Sequence, residues 1–121
     1  ISGNHQQAFS NAYSASKAGV SMLSRQLAYE WGPRGVRSNV VSPGLVRTAL
    51  SEAFYTDEKT RAAREKVVPL RRIGRVDDIA DAVLYFASER TSYVTGEEII
   101  IDGGYAQTLM SHVPRPGFND D

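Results

Sequence analysis

Two short hydrophobic segments, each preceded by a helical pattern, constrain the fold of this chain most. Residues 36–42 contain three valines and end at Pro43-Gly44, which predicts a short strand followed by a turn. Glu98–Ile101 predicts a second strand, and its successive isoleucines indicate burial on both faces. Helices that separate hydrophobic strands favour a parallel sheet. Because two strands cannot form a stable sheet covered on both faces, the pattern predicts an α/β fold that needs further strands.

Helical patterns flank these strands. From about Ala12 to Trp31, apolar residues recur at spacings of three and four, as one face of a helix requires. A second helix is predicted over residues 77–88, where two aspartates in the first turn complement the positive end of the helix dipole. Residues 45–75 lack a clean period and predict short helices in a mobile flap. Residues 107–121, which include two prolines, predict an extended tail.

Composition excludes several classes of protein. The 121 residues include 14 basic and 14 acidic side chains, so no net charge attracts nucleic acid or an anionic membrane. The chain has no cysteine, which excludes disulfide scaffolds, thiolate zinc sites and cysteine nucleophiles. No apolar run approaches the roughly 18 residues of a membrane span. We therefore expect no nucleic-acid or membrane partner, and a cytoplasmic location.

Tyr13 and Lys17 form the sharpest chemical feature, near the start of the first predicted helix. Residues four apart lie on one helix face, with their side chains about 5–6 Å apart at the base. A lysine ammonium favours the phenolate form of a neighbouring tyrosine. A phenol in that setting can pass a proton to or from an alcohol or carbonyl oxygen near neutral pH. On its own the spacing is weak evidence, because a surface helix brings such neighbours together by chance.

Two further segments are weak indicators of function on their own and become informative only together with this pair. Residues 39–48 end a strand in Pro-Gly, a rigid turn through which backbone can approach a flat ring. Ligands of open α/β sheets bind beyond the carboxyl ends of the strands. Thr48 carries a hydroxyl that can donate a hydrogen bond to an amide or a phosphate. Residues 95–104 by themselves predict only a buried strand and a turn.

In order and spacing, the three segments together resemble the short-chain dehydrogenase/reductase family. They are Tyr-Ser-Ala-Ser-Lys-Ala-Gly, then Arg-Ser-Asn-Val-Val-Ser-Pro-Gly-Leu-Val-Arg-Thr, then Val-Thr-Gly-Glu-Glu-Ile-Ile-Ile-Asp-Gly-Gly. The resemblance covers residues 1 to about 106, including Arg-Ile-Gly-Arg before the last long helix. It implies a Rossmann-type doubly wound parallel sheet, of which only the carboxy-terminal part is present. Residues 1–121 would then belong to a single dinucleotide-binding domain.

The resemblance also implies a role for each matched residue. Tyr13 would be the general acid/base, and Lys17 would favour its ionisation and hydrogen-bond the nicotinamide ribose. Pro43 and Gly44 would flank the nicotinamide ring. Residues 50–70 would form a substrate lid, with Phe54 and Tyr55 as apolar contacts. The implied cofactor-binding set comprises Tyr13, Lys17, Pro43, Gly44, the Val46 backbone and the Thr48 side chain. Hydride would move directly between cofactor and substrate, so no metal is required.

Two elements of the family pattern are absent from the sequence. No glycine-rich phosphate loop follows a first strand. The family's catalytic serine would lie upstream of Tyr13, and Ser2, the nearest candidate, is about two residues too close. Ser2 is therefore interpreted as a neighbour of that serine. The amino-terminal half of the domain is the expected partner of this chain, and the 121 residues alone are expected to be inactive.

The function that the resemblance implies is an oxidoreductase interconverting a secondary alcohol and a ketone with NAD or NADP. A small alcohol or ketone would be the substrate. Homo-oligomers are expected, because the tyrosine-bearing helix often packs on its counterpart in this family. Two alternatives stay open: an isomerase or epimerase that uses the same Tyr13–Lys17 pair, and a non-catalytic or cofactor-binding relative that keeps the fold.

Overall fold

The structure, a computed structural model, describes residues 1–117 of the chain. Its helices are α1 (Ala12–Trp31), α2 (Glu58–Val67) and α3 (Val76–Ala87), and its strands are β1 (Val40–Pro43) and β2 (Glu98–Ile101). Short 3₁₀ turns lie in the connections between them. The predicted helices at Ala12–Trp31 and over residues 77–88 are confirmed, the second one residue earlier than expected.

The two strands pair in parallel, as the pattern of helices between strands predicted. Val40 lies opposite Glu98, and Pro43 lies opposite Ile101. Helix α3 lies between the strands in sequence and contacts both of them. This arrangement is part of an α/β domain with a parallel sheet, in which the carboxyl ends of both strands lie at one edge.

The prediction that the first strand begins at residue 36 is wrong. Hydrogen bonds that involve side chains, rather than a regular backbone ladder, hold residues 37–39 in place. The Asn39 amide donates to the Val94 carbonyl oxygen at 2.9 Å, and its carbonyl accepts from the Glu97 amide at 3.1 Å. The Arg37 guanidinium donates to the carbonyl oxygens of Phe86, Ser88 and Val94 at 2.8–3.3 Å. These bonds hold residues 37–39 against the end of α3 and the loop before β2. Regular pairing therefore starts only at Val40.

Helix α1 contacts the segments that precede the two strands through small and polar residues rather than through its large apolar ones. Ser24 and Ala28 are its buried residues. The Ser24 hydroxyl lies 2.8 Å from the Ser38 hydroxyl, and Ala28 lies against Gly96. The apolar face that the spacing predicted remains partly exposed within residues 1–117; it consists of Val20, Leu23, Leu27 and Trp31.

The flap predicted over residues 45–75 contains short helices, as expected. A 3₁₀ turn at Glu52–Phe54 precedes α2, whose first turn is capped by the Asp57 carboxylate accepting from the Thr60 amide at 2.7 Å. The Arg64 guanidinium lies 4.5 Å from the centre of the Phe54 ring, a cation–π distance. These contacts give the flap a defined internal structure.

The flap ends on the turn that follows β2. Val68 is only 2% exposed, and the Leu70 amide donates to the Gly103 carbonyl oxygen at 3.2 Å. Gly103 has φ +65°, and a Cβ there would stand 2.7 Å from Val68 Cγ1. The turn therefore needs glycine both for its backbone conformation and for its close approach to Val68.

The segment beyond β2 is not extended throughout. Within residues 107–117 of the predicted tail, Leu109–His112 forms a 3₁₀ turn, just after another at Tyr105–Gln107. Residues 118–121 of the predicted tail lie outside the described part of the chain. In residues 1–117, no helix combines the length and the apolar character needed to cross a membrane.

We predict that Gly103→Ala in the complete protein lowers the free energy of unfolding by about 3 kcal/mol, because it adds a steric clash to an unfavourable backbone conformation. Gly35→Ala is the matched control: Gly35 has φ +77°, but no atom lies within 4 Å of the place that a Cβ would take. It should cost about 1 kcal/mol, the conformational part alone. Urea denaturation measures both values. Equal losses for the two variants would contradict the close contact with Val68.

Candidate active site

The first turns of α1 bring Tyr13 and Lys17 together. The Lys17 ammonium nitrogen lies 5.4 Å from the centre of the Tyr13 ring. Both side chains are exposed, Tyr13 by 54%. The ammonium thus stands over the ring, and the phenol is open to a ligand. The pair thus places a positive charge at a cation–π distance from an exposed phenol.

Residues 1–4 connect this pair to the end of β1. Gly3 packs on the backbone of α1, so that a Cβ on Gly3 would stand 2.9 Å from the Lys17 carbonyl carbon. The Ile1 nitrogen donates to the Pro43 carbonyl oxygen at 2.9 Å. Ser2, between them, therefore lies in the segment that runs from the Tyr13–Lys17 helix to the Pro43-Gly44 turn.

The Pro43-Gly44 turn is held against the turn that ends β2. The Gly44 amide donates to the Ile101 carbonyl oxygen at 3.0 Å, and a Cβ on Gly44 would overlap the Asp102 Cβ at 2.4 Å. Asp102 in turn accepts hydrogen bonds from the Gly104 and Ala106 amides at 2.8 and 2.6 Å. Any side chain at position 44 would push the two strand ends apart.

The loop after this turn carries Val46 and Thr48. Val46 forms an isolated bridge with Gly74. The Ser51 hydroxyl donates to the Val46 carbonyl oxygen at 2.8 Å and lies 3.1 Å from the Thr48 hydroxyl. Ser51 was missed in the sequence; the signal was a hydroxyl residue three positions after Thr48, a spacing that permits such local bonds. Thr48 itself is exposed.

An apolar cavity of about 170 Å³ lies behind the Pro43-Gly44 turn. Its lining includes Leu45 and Leu70, Ile79 at the start of α3, and Ile101 at the end of β2. Neither Tyr13 nor Lys17 borders it. The cavity is therefore separate from the exposed surface of the tyrosine–lysine pair.

A second depression, beneath the flap, is lined by several arginines that have acidic partners. Arg72 and Asp78 are 2.7 Å apart, Arg61 and Glu58 are also 2.7 Å apart, and Arg47 pairs with Glu52. Hydrogen bonds from the Arg72 guanidinium, and then from the Arg75 amide, hold the pKa of Asp78 well below its usual range. These pairings offset much of the positive charge of the cluster. The lining comprises Arg47, Tyr55, Arg61, Glu65, Arg72, Ile73, Gly74 and Arg75.

The structure thus places the predicted residues in two linked groups. Tyr13 and Lys17 lie side by side on α1, and Pro43 and Gly44 form the end of β1 with Val46 and Thr48 in the loop beyond. Residues 1–4 join the groups. The flap residue Tyr55 is buried, only 4% exposed, whereas Phe54 is 52% exposed. Of the two predicted lid contacts, only Phe54 therefore has a largely free surface.

Comparison with known proteins supports the resemblance seen in the sequence. A family profile described as enoyl-(acyl carrier protein) reductase matches residues 1–106. A 3beta-hydroxysteroid dehydrogenase of Eggerthella lenta is 42% identical over 92 residues, which are 76% of this chain and 35% of that protein.

Two solved structures are similar in fold and in sequence. A 4-hydroxyisoleucine dehydrogenase complexed with NADH superposes with a TM-score of 0.84 and 31% identity, over 88% of this chain and 44% of that one. A short-chain type dehydrogenase/reductase from Mycobacterium ulcerans superposes with a TM-score of 0.80 and 30% identity, over 100% of this chain and 45% of that one.

The chain spans little more than a third of the curated relative and less than half of each solved structure. The family match covers almost all of the chain, and it includes α1, both strands and the flap. The relatives carry the names of dehydrogenases and reductases. On this evidence, the chain belongs to the short-chain dehydrogenase/reductase family.

Proposed function

We propose that the protein carrying these residues is an NAD- or NADP-dependent oxidoreductase that interconverts a secondary alcohol and a ketone. The observation that carries the proposal is the exposed Tyr13 phenol with the Lys17 ammonium 5.4 Å from its ring centre. Membership of a family of named dehydrogenases and reductases supports it. A small-molecule substrate and a homo-oligomeric, cytoplasmic enzyme form part of the same proposal.

Tyr13 would act as the general acid/base. In the oxidation direction, its phenolate accepts the hydroxyl proton of the alcohol. In reduction, the phenol donates a proton to the carbonyl oxygen. The Lys17 ammonium favours the charged form of the phenol by electrostatic attraction. The exposure of both side chains allows the substrate oxygen to reach the phenol directly, as general acid/base catalysis requires.

The residues at the end of β1 fit a flat ring with a polar edge. The Pro43-Gly44 turn lies at the carboxyl end of β1, where ligands of parallel sheets bind. The exposed Thr48 hydroxyl and the Val46 backbone offer hydrogen-bonding groups beside it, and Lys17 is free to contact a ribose. A bound nicotinamide would supply or accept the hydride at the substrate carbon. The chain's own task is to bind and orient the reactants and to move the proton.

The pairing of Tyr13 with a cationic neighbour predicts a selective loss of catalysis in Tyr13→Phe. In the complete protein, with the secondary alcohol that it oxidises fastest from a panel, kcat should fall by about 10²–10⁴-fold. The dissociation constant for NADH or NADPH should stay within about 3-fold, because the ring and its packing are retained. Absorbance of the reduced cofactor and its fluorescence titration provide the two values.

Tyr29→Phe is the matched control for this variant. Tyr29 lies on the same helix and is 86% exposed, so its hydroxyl should be dispensable and kcat should be unchanged. If Tyr13→Phe turns over as fast as Tyr29→Phe, Tyr13 does not transfer the proton.

The absence of a glycine-rich phosphate loop from the sequence predicts poor cofactor binding by residues 1–121 alone. Backbone amides of such a loop bind the cofactor phosphates at a helix amino terminus. The isolated polypeptide should show no hydride transfer, and it should bind NADH or NADPH at least about 100-fold more weakly than the complete protein. Fluorescence titration of both proteins tests this. Equal affinities, or turnover by the isolated polypeptide, would show that this chain holds the cofactor unaided.

A further inference from the structure

Glu98 is a buried carboxylate that the proposed reaction does not use. It begins β2, opposite Val40 of β1, and its side chain is only 7% exposed. Its neighbour Glu97 is exposed. Burial of a charge is costly unless hydrogen bonds and opposite charge compensate it. An apolar side chain would fill this place without that cost, so the contacts that the carboxylate makes need an explanation.

The two carboxylate oxygens of Glu98 have different partners. The Ser42 hydroxyl donates to Oε1 at 2.6 Å. The Arg25 guanidinium lies 3.9 Å from Oε2, and Oε2 accepts no direct hydrogen bond in the described part of the chain. Arg25 is about half exposed. Ser42 therefore provides the short contact, and Arg25 a longer electrostatic one.

The environment nevertheless keeps the carboxylate charged. Burial is the largest effect and favours the neutral acid. Polar contacts from Ser42, Asn4 and Ser21, together with the positive charge of Arg25, outweigh it and lower the pKa of Glu98. These four residues come from three different parts of the chain: the segment before α1, α1 itself, and β1. The charge on Glu98 thus interacts with all three of these parts of the chain.

Three of these four residues lie beside a residue of the proposed site. Ser42 immediately precedes Pro43. The Ser21 hydroxyl, one turn after Lys17 on α1, lies 3.5 Å from the Lys17 carbonyl oxygen. Asn4 follows Gly3, which packs on the backbone of Lys17. The Glu98 carboxylate therefore lies where the segment before α1, the tyrosine–lysine helix and the Pro-Gly turn converge.

We propose that Glu98 is a positioning residue, which holds the helix bearing Tyr13 and Lys17 in fixed relation to the Pro43-Gly44 turn. This inference rests on the proposed function. Apart from the contacts of Glu98, the buried residues of α1 are the small Ser24 and Ala28, which lie against the segments before β1 and β2 and interlock little with them. Helix α1 could then shift along the sheet, and the phenol would lose its alignment with the reacting atoms.

The test compares Glu98→Ala, Glu98→Gln and the control Glu97→Ala in the complete protein. Glu98→Ala should lower kcat by about 10-fold or more while the KM for the alcohol changes by less than about 3-fold, because the phenol loses its alignment with the reacting atoms. Glu98→Gln keeps an oxygen that accepts from Ser42, and it should retain at least about a third of the kcat. Glu97→Ala should match the unmodified protein.

A purely fold-stabilising role does not predict this pattern, because turnover per folded molecule would be unchanged. NADH or NADPH titration gives the concentration of folded sites for each variant. If Glu98→Ala does not fold, Ser42→Ala removes the same short hydrogen bond from the other side and should produce the same loss of kcat. A kcat per folded site equal to that of Glu97→Ala, or a Gln variant as slow as the Ala variant, would overturn the assignment.

Tyr13→Phe is measured in the same series so that two kinds of failure can be told apart. If Tyr13→Phe keeps full activity, the proposed function fails, and the positioning role fails with it. If Tyr13→Phe loses activity while Glu98→Ala behaves like Glu97→Ala, only the positioning role is wrong.

Discussion

Close backbone contacts around the carboxyl ends of the two strands determine where every group of the proposed site lies. Gly44 approaches Asp102 so closely that no side chain fits between them, and Gly3 approaches the Lys17 backbone in the same way. The first contact fixes the Pro-Gly turn against the end of β2. The second fixes the segment before α1 against the helix that carries the phenol. Because both contacts involve backbone, neither position tolerates a side chain.

Within residues 1–117, α1 contacts the rest of the chain mainly through small residues. Ser24 and Ala28 are buried against the segments that precede β1 and β2, whereas the larger apolar side chains of α1 stay partly exposed. Small residues bring the helix near the strands but give it few specific contacts. The alignment of α1 with the Pro43-Gly44 turn therefore depends more on polar contacts, and in our proposal Glu98 and its partner Ser42 provide them.

The sequence was sufficient for the parts of the fold that depend on periodicity and spacing. Helix α1, the parallel pairing of β1 with β2 and the proximity of Tyr13 to Lys17 all follow from local patterns. The start of β1 was not predictable, because the bonds of Arg37 and Asn39 join residues 49 to 58 positions apart. Glu98 could not be identified as a functional residue for a similar reason: in Glu97-Glu98, the sequence alone does not show which carboxylate is buried. Ser51 depends on a loop conformation that no periodic pattern specifies.

The central claim is that the Lys17 charge makes the Tyr13 phenol a usable proton shuttle. The kcat of Lys17→Met in the complete protein tests it most directly, with Lys59→Met on the exposed face of α2 as control. Loss of the ammonium should reduce kcat at neutral pH by about 10-fold or more. A kcat equal to that of the Lys59 variant would contradict the account.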